Sequence, residues 1–143
     1  MAKEKKKWSN KKKAIMSSIG VIIAVALFFG GRFVVGFISY QRIVSEIEIR
    51  TPDLTRIQDG RYNGFLDAFA VAADVDVIVE NHRITEIVIN KHKYGYERAT
   101  AAEVVIIDVV DSQSLEVDAV SGATNSSKII LKSIQNALES GLD

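Results

Sequence analysis

Residues 118–127 read Asp118-Ala119-Val120-Ser121-Gly122-Ala123-Thr124-Asn125-Ser126-Ser127, and they crowd hydroxyls and an amide around one glycine. An amphipathic stretch follows at once, so this cluster sits where a helix begins. The first backbone N–H groups of a helix have no partner within it, and the macrodipole favours negative charge there. Gly122 permits close backbone approach and Ala123 adds almost no bulk. Such a place suits a phosphate. It equally suits plain capping, with Asn125 or Ser126 as the N-cap residue. On the residues alone both readings stay open.

The elements that must hold this segment are legible from periodicity. Over residues 128–140, Ile129, Ile130, Ile134, Ala137 and Leu138 form one helical stripe, and Gly141 is placed to stop it. Upstream, Asp59-Gly60 signals a turn before an aromatic strand over residues 61–65. Residues 71–80 alternate, with Val75, Val77 and Val79 on one face against Asp74, Asp76 and Glu80, Ile78 being the exception. Asn81-His82-Arg83 is turn-like and leads into a second β-rich run at residues 84–89, which predicts an antiparallel hairpin with one wet face. Ala99, Ala102, Ile106 and Val109 predict a helix within residues 97–110, although the β-branched run Val104, Val105, Ile106, Ile107 also suits a strand. Residues 115–120 are a short strand candidate. The expected order is β, β, β, α, β, α: an α+β domain with an antiparallel sheet packed against helices, and not a βαβ nucleotide fold.

On these residues the segment resembles the flavinylation motif of the FMN-binding domain family, which includes a flavin-carrying component of the sodium-translocating NADH:quinone reductase. The family pattern, Asp-x-x-Ser/Thr-Gly-Ala-Ser/Thr-x-Ser/Thr, is met by Asp118, Ser121, Gly122, Ala123, Thr124 and Ser126. The resemblance implies FMN as cofactor, joined by a flavin transferase through a phosphoester to Ser126. Ser121, Gly122, Ala123 and Thr124 would then shape the loop, and Asp118 would brace it or be read by the transferase; its bland alternative is a solvated strand end. The likeness extends over residues 59–142 and leaves the N-terminal part uncovered. It departs at the hairpin turn, where the family often has glycine and this chain has Asn81-His82, and in serine rather than the commoner threonine at the acceptor position. Tyr94 and Tyr96 beside Gly95 suit stacking on the flavin ring, and His92 or Lys93 suit an anionic reduced flavin; a plain surface loop is the competing reading. Tyr62 reads as core or sheet surface, and His82 as solvent-exposed.

Charge segregation sets the topology. Residues 1–13 hold seven lysines against Glu4, whereas from Gln41 onward there are 10 bases and 17 acids. Residues 14–31 carry no charge over 18 positions, about 27 Å of helix and close to a bilayer's hydrocarbon core. Arg32 follows and snorkels toward the headgroups, with Trp8 and Tyr40 flanking at interfacial depth. The lysines keep the N-terminus cytoplasmic, and the remainder is exported. A cleaved signal peptide fits less well, because the span is long and no A-x-A-like site follows. A core helix would not carry seven lysines at one end. The expected organisation is a basic cytoplasmic head (residues 1–13), a transmembrane anchor (14–40), a stalk (41–57) broken at Pro52, and an extracytoplasmic FMN-binding domain (58–143).

Cys 0 excludes disulfides, thiolate metal sites and a cysteine nucleophile, and two histidines exclude a histidine-rich metal centre. The lysine cluster fits anionic lipid, not nucleic acid. No catalytic triad, nicotinamide site or iron–sulfur ligand set is present in the sequence. The expected function is a membrane-anchored flavoprotein that relays electrons from a membrane donor to an external or periplasmic acceptor. A non-redox anchored interaction domain and a flavin-dependent reductase of a small acceptor are the alternatives.

Overall fold

The computed structural model describes residues 10–93 and 97–142. Residues 1–9 of the basic head, Trp8 among them, and Tyr94, Gly95 and Tyr96 lie outside the described residues, whereas Lys11, Lys12 and Lys13 belong to the first helix. The chain divides into two compact units, Met1–Gly36 and Phe37–Asp143.

Helix α1, Asn10–Glu46, accounts for the described part of the first unit and extends into the second. Within the first unit its large apolar side chains are bare, Ile22 at 66% exposure and Leu27 at 71%. A helix apolar all round and uncovered by protein needs an apolar solvent. α1 is long and apolar enough to cross a membrane.

The second unit is an α+β structure. Strands β1 (Gly60–Asp67), β2 (Ala72–Glu80) and β3 (Arg83–Lys93) form an antiparallel sheet in that spatial order. Val75, Val77 and Val79 of β2 and Ile84 and Ile87 of β3 point into the core, where Ile129, Ile130, Ile134, Ala137 and Leu138 of helix α3 (Thr124–Glu139) meet them. The expected helical stripe is the buried one. Ile84 and Ile87 share a face despite their odd spacing because the register slips between Ile78 and Val79, leaving Thr85 as an extra residue. Asn81 and His82 turn the β2–β3 hairpin with φ 51° and 58°, the double left-handed geometry of a type I′ turn. His82 is exposed as expected, yet its Nδ1 also lies 3.1 Å from the Ile57 carbonyl oxygen, which fixes a non-glycine residue in that conformation.

Several expectations need correcting. Residues 115–120 form no strand. Side chains accept from backbone N–H groups of this segment instead: Leu115 N–H donates to Thr51 Oγ1 at 2.9 Å and Val120 N–H to Ser127 Oγ at 3.1 Å. The observed order is therefore three strands followed by helices. The expected helix over residues 97–110 is a 3₁₀ segment, Glu97–Val104, running into α2, Val105–Ser112, whose Val105 and Val109 are buried. Gly141 ends α3 without a left-handed turn. A Cβ there would lie 2.6 Å from Tyr62 Cε1, so close packing fixes that glycine. Tyr62 is thus part of the packing, its hydroxyl donating to the Gln58 carbonyl at 2.8 Å.

Residues 41–57, expected as a stalk, pack onto the domain. Val44 and Ile57 are buried in its core, and Arg50 N–H donates to Gln135 Oε1 at 3.1 Å. This covering explains why Leu131 and Gln135, off the apolar stripe, are buried as well.

Candidate functional site

α3 runs antiparallel to β1. Gly141 meets Tyr62, and Gly64 meets Ser133 and Ala137. From those contacts, seven residues of helix back to Ser126 and three residues of strand on to Asp67 both cover about 10 Å. The start of α3 therefore lies at the end of the domain where β1 turns into β2 and where β3 finishes at Lys93.

The segment before α3 is a tight turn. Ala123 N–H donates to the Val120 carbonyl at 2.9 Å and Gly122 has φ +80°, which matches the third position of a type II turn and explains glycine there. A Cβ on Gly122 would meet nothing within 4 Å, so the space beside it is open. The helical ladder begins with Ser127 N–H to the Ala123 carbonyl at 2.9 Å. That leaves the N–H groups of Thr124, Asn125 and Ser126 ahead of the ladder, and no side chain caps them. Neither Asn125 nor Ser126 is the N-cap, which falls on Ala123. The plain-capping reading of the hydroxyl cluster therefore fails on geometry.

Ser126 and Ser127 are both buried but differ in use. Ser127 Oγ accepts from Val120 N–H and donates to the Ala123 carbonyl at 3.2 Å, pinning the turn to the helix. Ser126 is 6% exposed, and no hydrogen bond among the described residues engages its hydroxyl. Ser121, Gly122 and Thr124 are exposed around it. Asp118 is exposed and lines an open groove with Asp108, Asp111 and Glu116, apart from the turn's hydrogen bonds.

Backbone N–H groups ahead of the helical ladder, open space beside Gly122 and one unengaged hydroxyl fit a phosphorylated cofactor. The family model described as FMN-binding domain matches residues 69–139. Those residues are an FMN-binding domain. FMN is its cofactor. The match runs from the β1–β2 turn to the last residue of α3 and excludes β1, a narrower span than the sequence resemblance. No curated protein matches the chain.

Of the suggested flavin-ring contacts in the FMN-binding domain, Tyr94 and Tyr96 lie outside the described residues. The His92 side chain is 2% exposed, with Nδ1 3.0 Å from Glu103 Oε1, and Lys93 Nζ donates to the Phe69 carbonyl at 2.9 Å. Both serve local structure. Two residues at this end of the domain went unread in the sequence. Phe69, 45% exposed, turns β1 into β2 at φ 65°, a conformation rare for a bulky side chain; the Asp67 carboxylate holds it by accepting from Phe69 N–H at 2.8 Å. Ser127 is one hydroxyl among several in the sequence, and its two hydrogen bonds, to Val120 N–H and the Ala123 carbonyl, distinguish it.

Proposed function

We propose that this protein is a membrane-anchored flavoprotein that carries FMN covalently on Ser126 and relays electrons between a membrane donor and an external acceptor. What carries the reading is the uncapped first turn of α3, with an unengaged Ser126 hydroxyl beside it, inside an FMN-binding domain. The N–H groups of Thr124, Asn125 and Ser126 neutralise phosphate charge, the Gly122 turn gives the phosphate room, and Ser121 and Thr124 flank it with hydroxyls.

Attachment needs a flavin transferase and an activated flavin nucleotide. The Ser126 oxygen forms a bond to the flavin's phosphorus as the anhydride bond of the donor breaks. The serine proton passes to solvent, and the departing phosphate takes the electron pair. Bound FMN supplies one- and two-electron transfer, and the protein supplies placement and a tuned potential. The lysine-rich head stays in the cytoplasm by the positive-inside rule, which puts the FMN-binding domain on the outer face. A covalent link there prevents loss of the cofactor by dilution. Asp118, exposed next to the turn, serves recognition by the transferase.

The test is Ser126→Ala in the full chain co-expressed with a flavin transferase. Denaturing gels should show flavin fluorescence on the parent and none on the variant. Undiminished fluorescence on the variant contradicts the assignment, and a colourless parent favours the non-redox interaction module.

A further inference from the structure

A helix start is ordinarily steadied by a side chain that accepts from the N–H of its second or third residue. α3 cannot use that device and keep those N–H groups for a phosphate. Two other contacts steady it. One is Ser127, described above. The other comes from Tyr40, whose hydroxyl accepts from Asn125 Nδ2 at 2.9 Å. Tyr40 belongs to the last turns of α1, is 8% exposed, and sits in the same core as Val44 and Ile130. Asn125 lies between Thr124 and Ser126, at a place the flavinylation pattern leaves unspecified.

We infer that Tyr40 is a positioning residue for flavin attachment: by holding Asn125 it fixes the first turn of α3 while leaving the turn's N–H groups free. The anchor helix thus supplies part of the attachment site as well as a tether. The hydrogen bond is made by the Asn125 side chain, so the peptide groups that face the phosphate stay unspent. This rests on Ser126 as the point of attachment.

The experiment uses the full chain with limiting flavin transferase and follows the initial rate of covalent flavin fluorescence. Tyr40→Phe removes one oxygen and leaves the buried ring in place; Asn125→Ala removes the other partner. Each should slow attachment about two- to tenfold, the range of one net hydrogen bond, and the double variant should be no slower than the worse single one. Tyr62→Phe is the control. It also loses one hydrogen bond, to the Gln58 carbonyl, but at the far end of α3, and it should attach flavin at the parental rate. A second arm reads amide hydrogen exchange at residues 124–127 in flavin-free protein, which should speed up in Tyr40→Phe and not in Tyr62→Phe. Parental rates in both arms, or equal slowing by Tyr62→Phe, overturn the inference. A parent that takes up no flavin sinks the Ser126 assignment, and the exchange arm still decides the role of Tyr40.

Discussion

Gly64 of β1 lies directly beneath the Ser133 carbonyl of α3, with no room for a side chain between strand and helix. A Cβ built on Gly64 would overlap that oxygen and come within 2.5 Å of Ala137 N. Backbone meets backbone here, and α3 is thereby set at the height that brings its first turn level with the β1–β2 turn. Gly64→Ala should therefore cost about 3 kcal/mol or more, beyond ordinary overpacking, because no flexible side chain can yield. Chemical denaturation of the chain measures it; a loss under 1 kcal/mol would contradict the close approach.

Gln113 substitutes for a strand. Its Oε1 accepts from Ile84 N–H and its Nε2 donates to the Ile84 carbonyl, each at 2.8 Å, with Nε2 also 2.6 Å from the Val110 carbonyl. The residue itself has φ 57°. Gln113→Ala should destabilise by about 2–3 kcal/mol, since a buried pair of backbone groups loses its partner. Gln113→Gly should be milder by about 1 kcal/mol, the relief of the left-handed backbone. Equal losses in the two variants would show that the backbone carries no strain there.

How much of this was readable from the residues follows from physical range. The β2–β3 hairpin and the α3 stripe rest on local periodicity, and both are present. The strand expected at residues 115–120 failed because apolar content says nothing about where backbone groups find partners, and these find Thr51 and Ser127. The proposed attachment motif is contiguous, so Asp118, Ser121, Gly122, Ala123, Thr124 and Ser126 could be picked out directly. The support of Asn125 by Tyr40, 85 positions away, has no sequence periodicity to betray it. Nor does the packing of residues 41–57, whose short apolar alternation fits a stalk equally well until α3 is beside it.

The wet face of the sheet predicts an acid limit. Asn90 and Asn63 amides and the Arg61 guanidinium hold the Asp76 carboxyl down at about 2, against an ordinary 3.8. A folded-state value below the unfolded one stabilises the fold at neutral pH, and that contribution is lost as pH falls from about 4 through about 2. Asp76→Asn should flatten stability against pH across that window and leave the slope above pH 5 unchanged. Asn63→Ala should move the acid-unfolding midpoint upward. An unaltered acid limb in both variants would contradict the network.

Ser126 and Ser127 should separate cleanly on substitution. Ser127→Ala removes two hydrogen bonds from a fully buried hydroxyl and should cost about 1–3 kcal/mol while leaving an acceptor for flavin. Ser126→Ala should leave the thermal midpoint nearly unchanged and abolish covalent flavin. Reversed phenotypes would move the attachment point to Ser127.

The most direct measurement is the intact mass of the full chain purified from membranes of its native host. The expected mass is that of the chain plus one FMN less one water, with the added mass mapping to the peptide containing Ser126 and disappearing in Ser126→Ala. A chain of unmodified mass, or a flavin mapped to any other residue, contradicts the account.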